Sequence, residues 1–130
     1  MKTLSKLLSA VACLTILLSC SNEDDPPFGY SGVWEAKYKS TSTEVDSGTA
    51  IITVNTNGNT VGIVTSQVFT ESWTLTGSTS NNGQITLSLG TVTSGANFTG
   101  SLNNNQGQGT WNNNSNPAKV YFGTWTAIKQ

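Results

Sequence analysis

The stretch GTAIITVNTNGNTVGIVTS, residues 48–66, decides how the rest of the chain is read. Its two halves, Gly48–Asn55 and Thr60–Ser66, are rich in Thr, Val and Ile and alternate between larger and smaller side chains with period two. That is the pattern of half-buried strands rather than of a helix face. Between them stands Asn57-Gly58, a pair that tolerates positive φ and predicts a type I′ turn. The segment is therefore read as an antiparallel hairpin.

The same habit spreads outward in both directions. Upstream, a first strand is predicted over about Gly32–Ser40, with Trp34, Ala36 and Tyr38 on one face and Glu35, Lys37 and Lys39 on the other. Downstream, strands are predicted over about Thr70–Thr79, Gln84–Thr91, Ala96–Leu102, Gly107–Asn112 and Lys119–Lys129. Asparagine clusters at Asn81-Asn82-Gly83 and Asn103-Asn104-Asn105 separate them, as turn residues that accept the left-handed region. No stretch of useful length has helical periodicity. Eight short strands joined by short turns predict an all-β fold, an eight-stranded antiparallel up-and-down barrel that leaves no open edge. A two-sheet β-sandwich uses the same alternation and stands as the alternative. One face of the strands collects Trp, Leu, Ile and Phe, the other Thr, Ser, Asn and Lys. A membrane-spanning barrel has the opposite polarity, so a water-soluble barrel filled with side chains is expected.

A short motif recurs: Gly32-Val33-Trp34, Gly109-Thr110-Trp111 and Gly123-Thr124-Trp125. A glycine two positions from a tryptophan on the same face leaves room for an indole to lie over backbone. The first copy is similar to the opening motif of the calycin barrels, the lipocalin and avidin families. That resemblance covers three residues and implies the barrel architecture only. Lipocalins pair this tryptophan with an arginine near the last strand, and this chain has no arginine, so no ligand is carried over.

The first nineteen residues read differently. Lys2 and Lys6 precede an apolar run from about Leu7 to Leu18. A helix needs about 20 apolar residues to cross a hydrocarbon core, so this run fits a signal-peptide core instead. It closes on Leu17-Leu18-Ser19-Cys20, which resembles the lipobox of bacterial lipoproteins. The resemblance implies cleavage before Cys20, lipid on its thiol, and a membrane anchor of two or three acyl chains. Ser21, Asn22, Glu23, Asp24 and Asp25 follow, and resemble the acidic signal that sends Bacteroidetes-type lipoproteins to the outer face of the outer membrane. The alternative is a solvated spacer that holds the domain off anionic head groups. Residues 20–31 form an acidic tether stiffened by Pro26-Pro27, reaching at most about 40 Å. The domain then occupies residues 32–130.

Composition narrows the function. After residue 19 the chain carries four lysines against seven acids, and the domain alone is balanced at four of each. There is no basic surface for phosphates, so nucleic acid is not an expected partner. Cys13 falls in the signal and Cys20 carries lipid, which leaves the domain without a thiol or a disulfide. With no His and no Arg either, neither a Ser-His-Asp triad nor a Cys-His pair nor a zinc site with nitrogen or sulfur ligands can be assembled. The domain's acids are Glu35, Glu44, Asp46 and Glu71. Glycoside hydrolysis needs two carboxyls about 5 to 9.5 Å apart. Glu44 and Asp46 are read in a loop, too close in sequence to straddle a substrate, and Glu35 is read on the solvent face. No enzyme, metal or cofactor is expected.

Candidates for binding remain. Trp34, Tyr38, Trp73, Trp111, Tyr121 and Trp125 either line an aromatic pocket or fill a small core. If the fourth strand alternates unbroken from Phe69, then Phe69 and Glu71 share an inward face with Trp73, and Glu71 can receive a donor group at the barrel mouth. If that strand starts at Ser72, Glu71 falls in a turn. On the last strand Val120, Phe122 and Ile128 lie opposite Tyr121, Gly123 and Trp125. They form either a partner surface or the seat of an N-terminal segment around Phe28 and Tyr30. The expected function is a lipid-anchored, non-enzymatic module that binds a glycan, a small apolar ligand or a protein. The alternative is an accessory subunit of an outer-membrane complex, or an enzyme inhibitor.

Overall fold

The computed structural model describes residues 28–90 and 95–130. The signal, Cys20 and the acidic segment Ser21–Asp25 lie outside the described residues, as does Thr91 at the predicted end of the fifth strand. The described chain is all-β. Its strands are β1 (Gly32–Ser40), β2 (Ser47–Val54), β3 (Asn59–Ser66), β4 (Ser72–Thr79), β5 (Gln84–Gly90), β6 (Gly95–Asn103), β7 (Gln106–Asn116) and β8 (Lys119–Lys129). Each pairs antiparallel with its sequence neighbour, and β1 closes on β8, giving an eight-stranded up-and-down barrel. A sandwich is excluded by that closure.

Alternation governs what each strand buries. Trp34, Ala36 and Tyr38 point inward from β1 while Val33, Glu35, Lys37 and Lys39 point out. Across the barrel the interior is filled by Ile52, Leu75, Ile85, Leu87, Phe98, Leu102 and the indoles of Trp34, Trp111 and Trp125. Apolar atoms lie inside and polar ones mostly outside, as the sequence pattern requires. Toward the end where β1 begins, the buried Thr60 and Thr79 hydroxyls share a 2.8 Å hydrogen bond, and Thr60 also donates to the Gly58 carbonyl. Both groups are satisfied, so their burial carries little penalty.

The quoted hairpin forms, but its turn is not type I′. Only Gly58 takes positive φ, at 89°, and Asn57 does not. The Gly58 N–H donates to the Asn55 carbonyl and the Asn55 N–H to the Asn59 carbonyl. This is a three-residue loop in which a right-handed turn is followed by a left-handed glycine, the wider arrangement that also suits the twist of the strands. The β4–β5 hairpin repeats it, with Ser80 in place of Asn55 and Gly83 at φ 87°. A second difference lies in β7, which runs on to Asn116 through a segment predicted as loop. There Asn112 pairs with Phe122 and Asn113 with Tyr121, and an irregularity between Asn113 and Asn116 absorbs the extra residues. Ladder bonds to β8 outweigh the weak strand propensity of asparagine.

The Gly-x-Trp repeat has a specific use. Gly109 pairs with Trp125, and Trp111 pairs with Gly123, so the copies on β7 and β8 meet head to tail. Each tryptophan therefore stands opposite the other copy's glycine. Trp125 lies over the Gly100–Gly109 pair, where a Cβ at either glycine would stand 2.7 Å from its ring. The room anticipated on the same strand is supplied from the neighbouring one.

The two ends of the barrel differ. At the end where β1 begins, Phe28 and Tyr30 pack on the core and against the turns at Gly58 and Gly83. Trp34 Nε1 donates to the Tyr30 carbonyl at 3.0 Å, and Lys129 Nζ to the Gly29 carbonyl at 3.2 Å. This end is plugged by the segment through which the chain arrives. The N-terminal segment thus covers the bottom of the barrel, while Val120, Phe122 and Ile128 stay exposed on the wall.

Candidate functional site

At the opposite end a cavity of about 280 Å³ opens. Its opening has a structural cause. Strands β4 and β5 pair only from Thr76 to Thr79 against Ile85 to Ser88, whereas the other neighbours pair over seven residues or more. Beyond Leu75 and Leu89 the two strands part toward the mouth. The half-buried Trp73 and the exposed Leu89 stand on either side of this gap.

The wall combines aromatic, aliphatic and polar side chains. Tyr38, Trp73, Phe98 and Trp111 line it together with Val64, Leu75, Leu89 and Ala96. Tyr38 meets Trp111 edge-on, with ring centroids 5.0 Å apart and planes at 76°, and meets Phe98 at 5.8 Å and 85°. Phe98 and Trp111 stack at 6.1 Å and 20°. Trp111 is fixed by donation from Nε1 to the Lys39 carbonyl at 3.1 Å. These rings form a rigid corner.

Two carboxylates face the same space. Glu71 lies at the rim, because β4 begins at Ser72 and Thr70 takes φ 55°, which breaks the alternation from Phe69. Phe69 is exposed and packs edge-on to Tyr121 of β8 at 5.8 Å, neither of them lining the cavity. Glu71 is exposed, and still lines the mouth. The second carboxylate, Asp46, was read as a loop residue and is only 6% exposed. Its Oδ1 accepts a 2.6 Å hydrogen bond from Ser66 Oγ, and the Tyr38 hydroxyl lies 3.4 Å from Oδ2. Ser66 Oγ in turn accepts the N–H groups of Val68 and Phe69, which ties the β3–β4 loop to the same node. The signal for Asp46 was present: stepping back by two from Ile52, Ala50 and Gly48 places residue 46 on the inner face. Asn113 and Ser115, also in the lining, follow from the same step continued past Trp111.

No lysine lines the cavity. Lys119 makes an exposed 3.8 Å ion pair with Glu44, and Lys129 sits at the plugged end, 5.8 Å over the Trp34 ring. Among the described residues no group of three His, Cys, Asp or Glu could hold a metal. Of the predicted ligand residues, the structure brings together Tyr38, Glu71, Trp73 and Trp111. Trp34 and Trp125 are core and do not line the cavity. The predicted wall surface divides as well, since Val120 and Phe122 lie near the mouth and Ile128 toward the plugged end. There Ile128 joins a cross-strand row with Glu35, Ile51 and Ile63.

The chain has no significant match among protein families, curated proteins or solved structures. The site therefore has to be read from its own chemistry.

Burial in this corner, with the Asp46 charge adding to it, pushes the Tyr38 hydroxyl up to about 12 from its ordinary 10.0. In the unfolded chain the proton leaves near pH 10; in the fold it stays until about pH 12. The native state holds more protons in that window, so the contribution is complete below pH 10 and is lost as pH rises through 12. The urea midpoint is expected to fall across this range by an amount worth about 2 kcal/mol more in the wild type than in Tyr38→Phe. Parallel pH profiles for the two proteins would show that Tyr38 is not the group responsible.

Proposed function

We propose that this chain is a lipid-anchored, non-enzymatic binding protein that takes a small molecule into the mouth of its barrel. The observation that carries the proposal is the aromatic cavity at the end of the barrel opposite the plugged one. If Cys20 is acylated, the chain rises from the membrane into the plugged end, and the cavity opens away from the bilayer. That arrangement suits capture of a ligand from outside a cell. The resemblance of Leu17-Leu18-Ser19-Cys20 to a lipobox, and of the following acids to a Bacteroidetes-type export signal, supports display on the outer membrane's outer face. The Gly-x-Trp opening and the up-and-down connectivity support a calycin-like architecture and add no ligand.

Two experiments test this. In the native host, labelled palmitate is expected on the wild type and absent from Cys20→Ser, and protease added to intact cells is expected to remove the domain. A thermal-shift panel of glycans, amines and apolar metabolites is expected to return at least one small ligand whose effect Trp73→Ala abolishes. An unlabelled Cys20, or a panel that shifts nothing, would defeat the respective half of the proposal.

Two specific features favour other readings. The exposed Ile51 and Ile63 on β2 and β3, separated from Ile128 on β8 by Glu35 on β1, offer a partly apolar strip to a protein partner, as an accessory subunit or inhibitor would use. Pull-down from solubilised outer membrane, repeated with Ile51→Lys, decides that case. Asp46 and Glu71 sharing one cavity is the pairing that glycoside hydrolysis would need. Turnover of aryl glycosides, lost in both Asp46→Asn and Glu71→Gln, would replace binding by catalysis.

A further inference from the structure

Resting on the reading of the mouth as a small-molecule site, we infer that its ligand is a small organic cation, an amine or quaternary ammonium on an apolar body. Charge is the first ground. Among the described residues, the only Asp, Glu or Lys side chains on the wall are Asp46 and Glu71, and the whole protein has no arginine. An anion entering this space meets two carboxylates and no positive partner.

Shape is the second. The Tyr38 ring stands nearly perpendicular to those of Trp111 and Phe98, and Trp73 closes another side of the wall. A compact positive charge in the cavity meets the partly open Trp73 ring, with the buried corner of Tyr38, Trp111 and Phe98 behind it. Trp111 and Phe98 are almost fully buried, which leaves only Trp73 partly open.

The third ground is Asp46. It is nine-tenths buried, with one short hydrogen bond from Ser66, a long contact from Tyr38 and, among the described residues, no lysine paired with it. A carboxylate taken out of water is stabilised most by an opposite charge. An ammonium in the corner would supply it while its alkyl groups contact the rings. The ligand's charge completes the site. At about 280 Å³ the cavity accommodates a molecule of that size rather than an oligomer.

The test uses the full chain and tryptophan fluorescence titrations with matched pairs. Choline is compared with its carbon isostere neohexanol, phenethylamine with phenethyl alcohol, and benzyltrimethylammonium with neopentylbenzene. At least one cation is expected to bind about ten-fold or more tightly than its neutral partner. Asp46→Asn keeps the shape and is expected to erase that preference. Glu71→Gln, on the exposed rim where folding is not at risk, is expected to reduce it. Neutral partners that bind as well as the cations would overturn the inference and leave the small-molecule reading standing. A preference unchanged in both variants would also overturn it. Silence from every cation, with neutral compounds of the wider panel silent too, would remove both.

Discussion

Trp125→Ala is expected to lower the stability of the barrel by about 4 kcal/mol, a large part of what a domain this size possesses. Three losses combine. The indole is almost entirely buried, and a tryptophan of this kind removes about 150 to 250 Å² from water. Its Nε1 donates to the carbonyls of both Thr99 and Thr110 at 3.2 Å, which ties β8 to the β6–β7 pair. Beneath it, Gly100 and Gly109 face each other with no side chain of their own, and alanine would leave that stretch of ladder bare. Trp125→Phe keeps a ring over the glycines and is expected to cost roughly half as much. The converse change, Gly109→Ala, places a Cβ against the Thr99 carbonyl oxygen and 2.7 Å from Trp125 Nε1, so it acts on the same contact from the other side. Urea unfolding followed by circular dichroism measures all three. A loss near 1 kcal/mol for Trp125→Ala would mean that the indole merely occupies space the barrel can close.

The Gly-x-Trp repeat was legible as a spacing, and its partner was not. Sequence alone places Gly109 near Trp111, two steps along one strand. Only the register between β7 and β8 shows that Trp125 covers Gly109. The same boundary divides the rest of the molecule. Period-two alternation carried the strands, the inward faces and the closure, because each follows from local burial repeated eight times. The turn at Asn57-Gly58 depended on loop length as well as on composition, and there one left-handed residue sufficed where two were expected.

The candidate site was half legible for a related reason. Tyr38, Trp73 and Trp111 are large aromatics on inward faces and announce themselves. Asp46 does not, since a short acidic residue among Thr, Ser and Val reads as a solvated turn. Its place follows from the step before Gly48, a residue earlier than the apolar pattern begins. Trp34 and Trp125 resemble the mouth aromatics in sequence; Trp34 lies toward the plugged end, and the Trp125 indole is committed to the β6–β7 pair. Height along the barrel depends on which strand ends carry the plug, and Phe28 and Tyr30 settle that through contacts more local reasoning cannot reach.

Ser66→Ala carries the second large effect, an expected loss of about 3 kcal/mol. Ser66 is almost fully buried and its hydroxyl is committed three ways: it donates to Asp46 at 2.6 Å and accepts from the Val68 and Phe69 N–H groups. Alanine removes the one short hydrogen bond to a buried carboxylate, leaving the Tyr38 hydroxyl at 3.4 Å, too long to compensate. It also strips two backbone donors of the loop that ends at Glu71, so both carboxylates of the mouth lose their positioning together. The neighbouring Thr65→Val is the control. Its hydroxyl bonds Ser72 at 2.9 Å on the exposed face, where water replaces the lost partner, and a change within about 0.5 kcal/mol is expected. Measured side by side in urea, the two variants separate burial from bond count, since each removes a hydroxyl from the same strand. Equal, small losses would mean that water already reaches Asp46 through the open mouth. In that case its charge is solvated without a partner, and the case for a cationic ligand loses its third ground while keeping the other two.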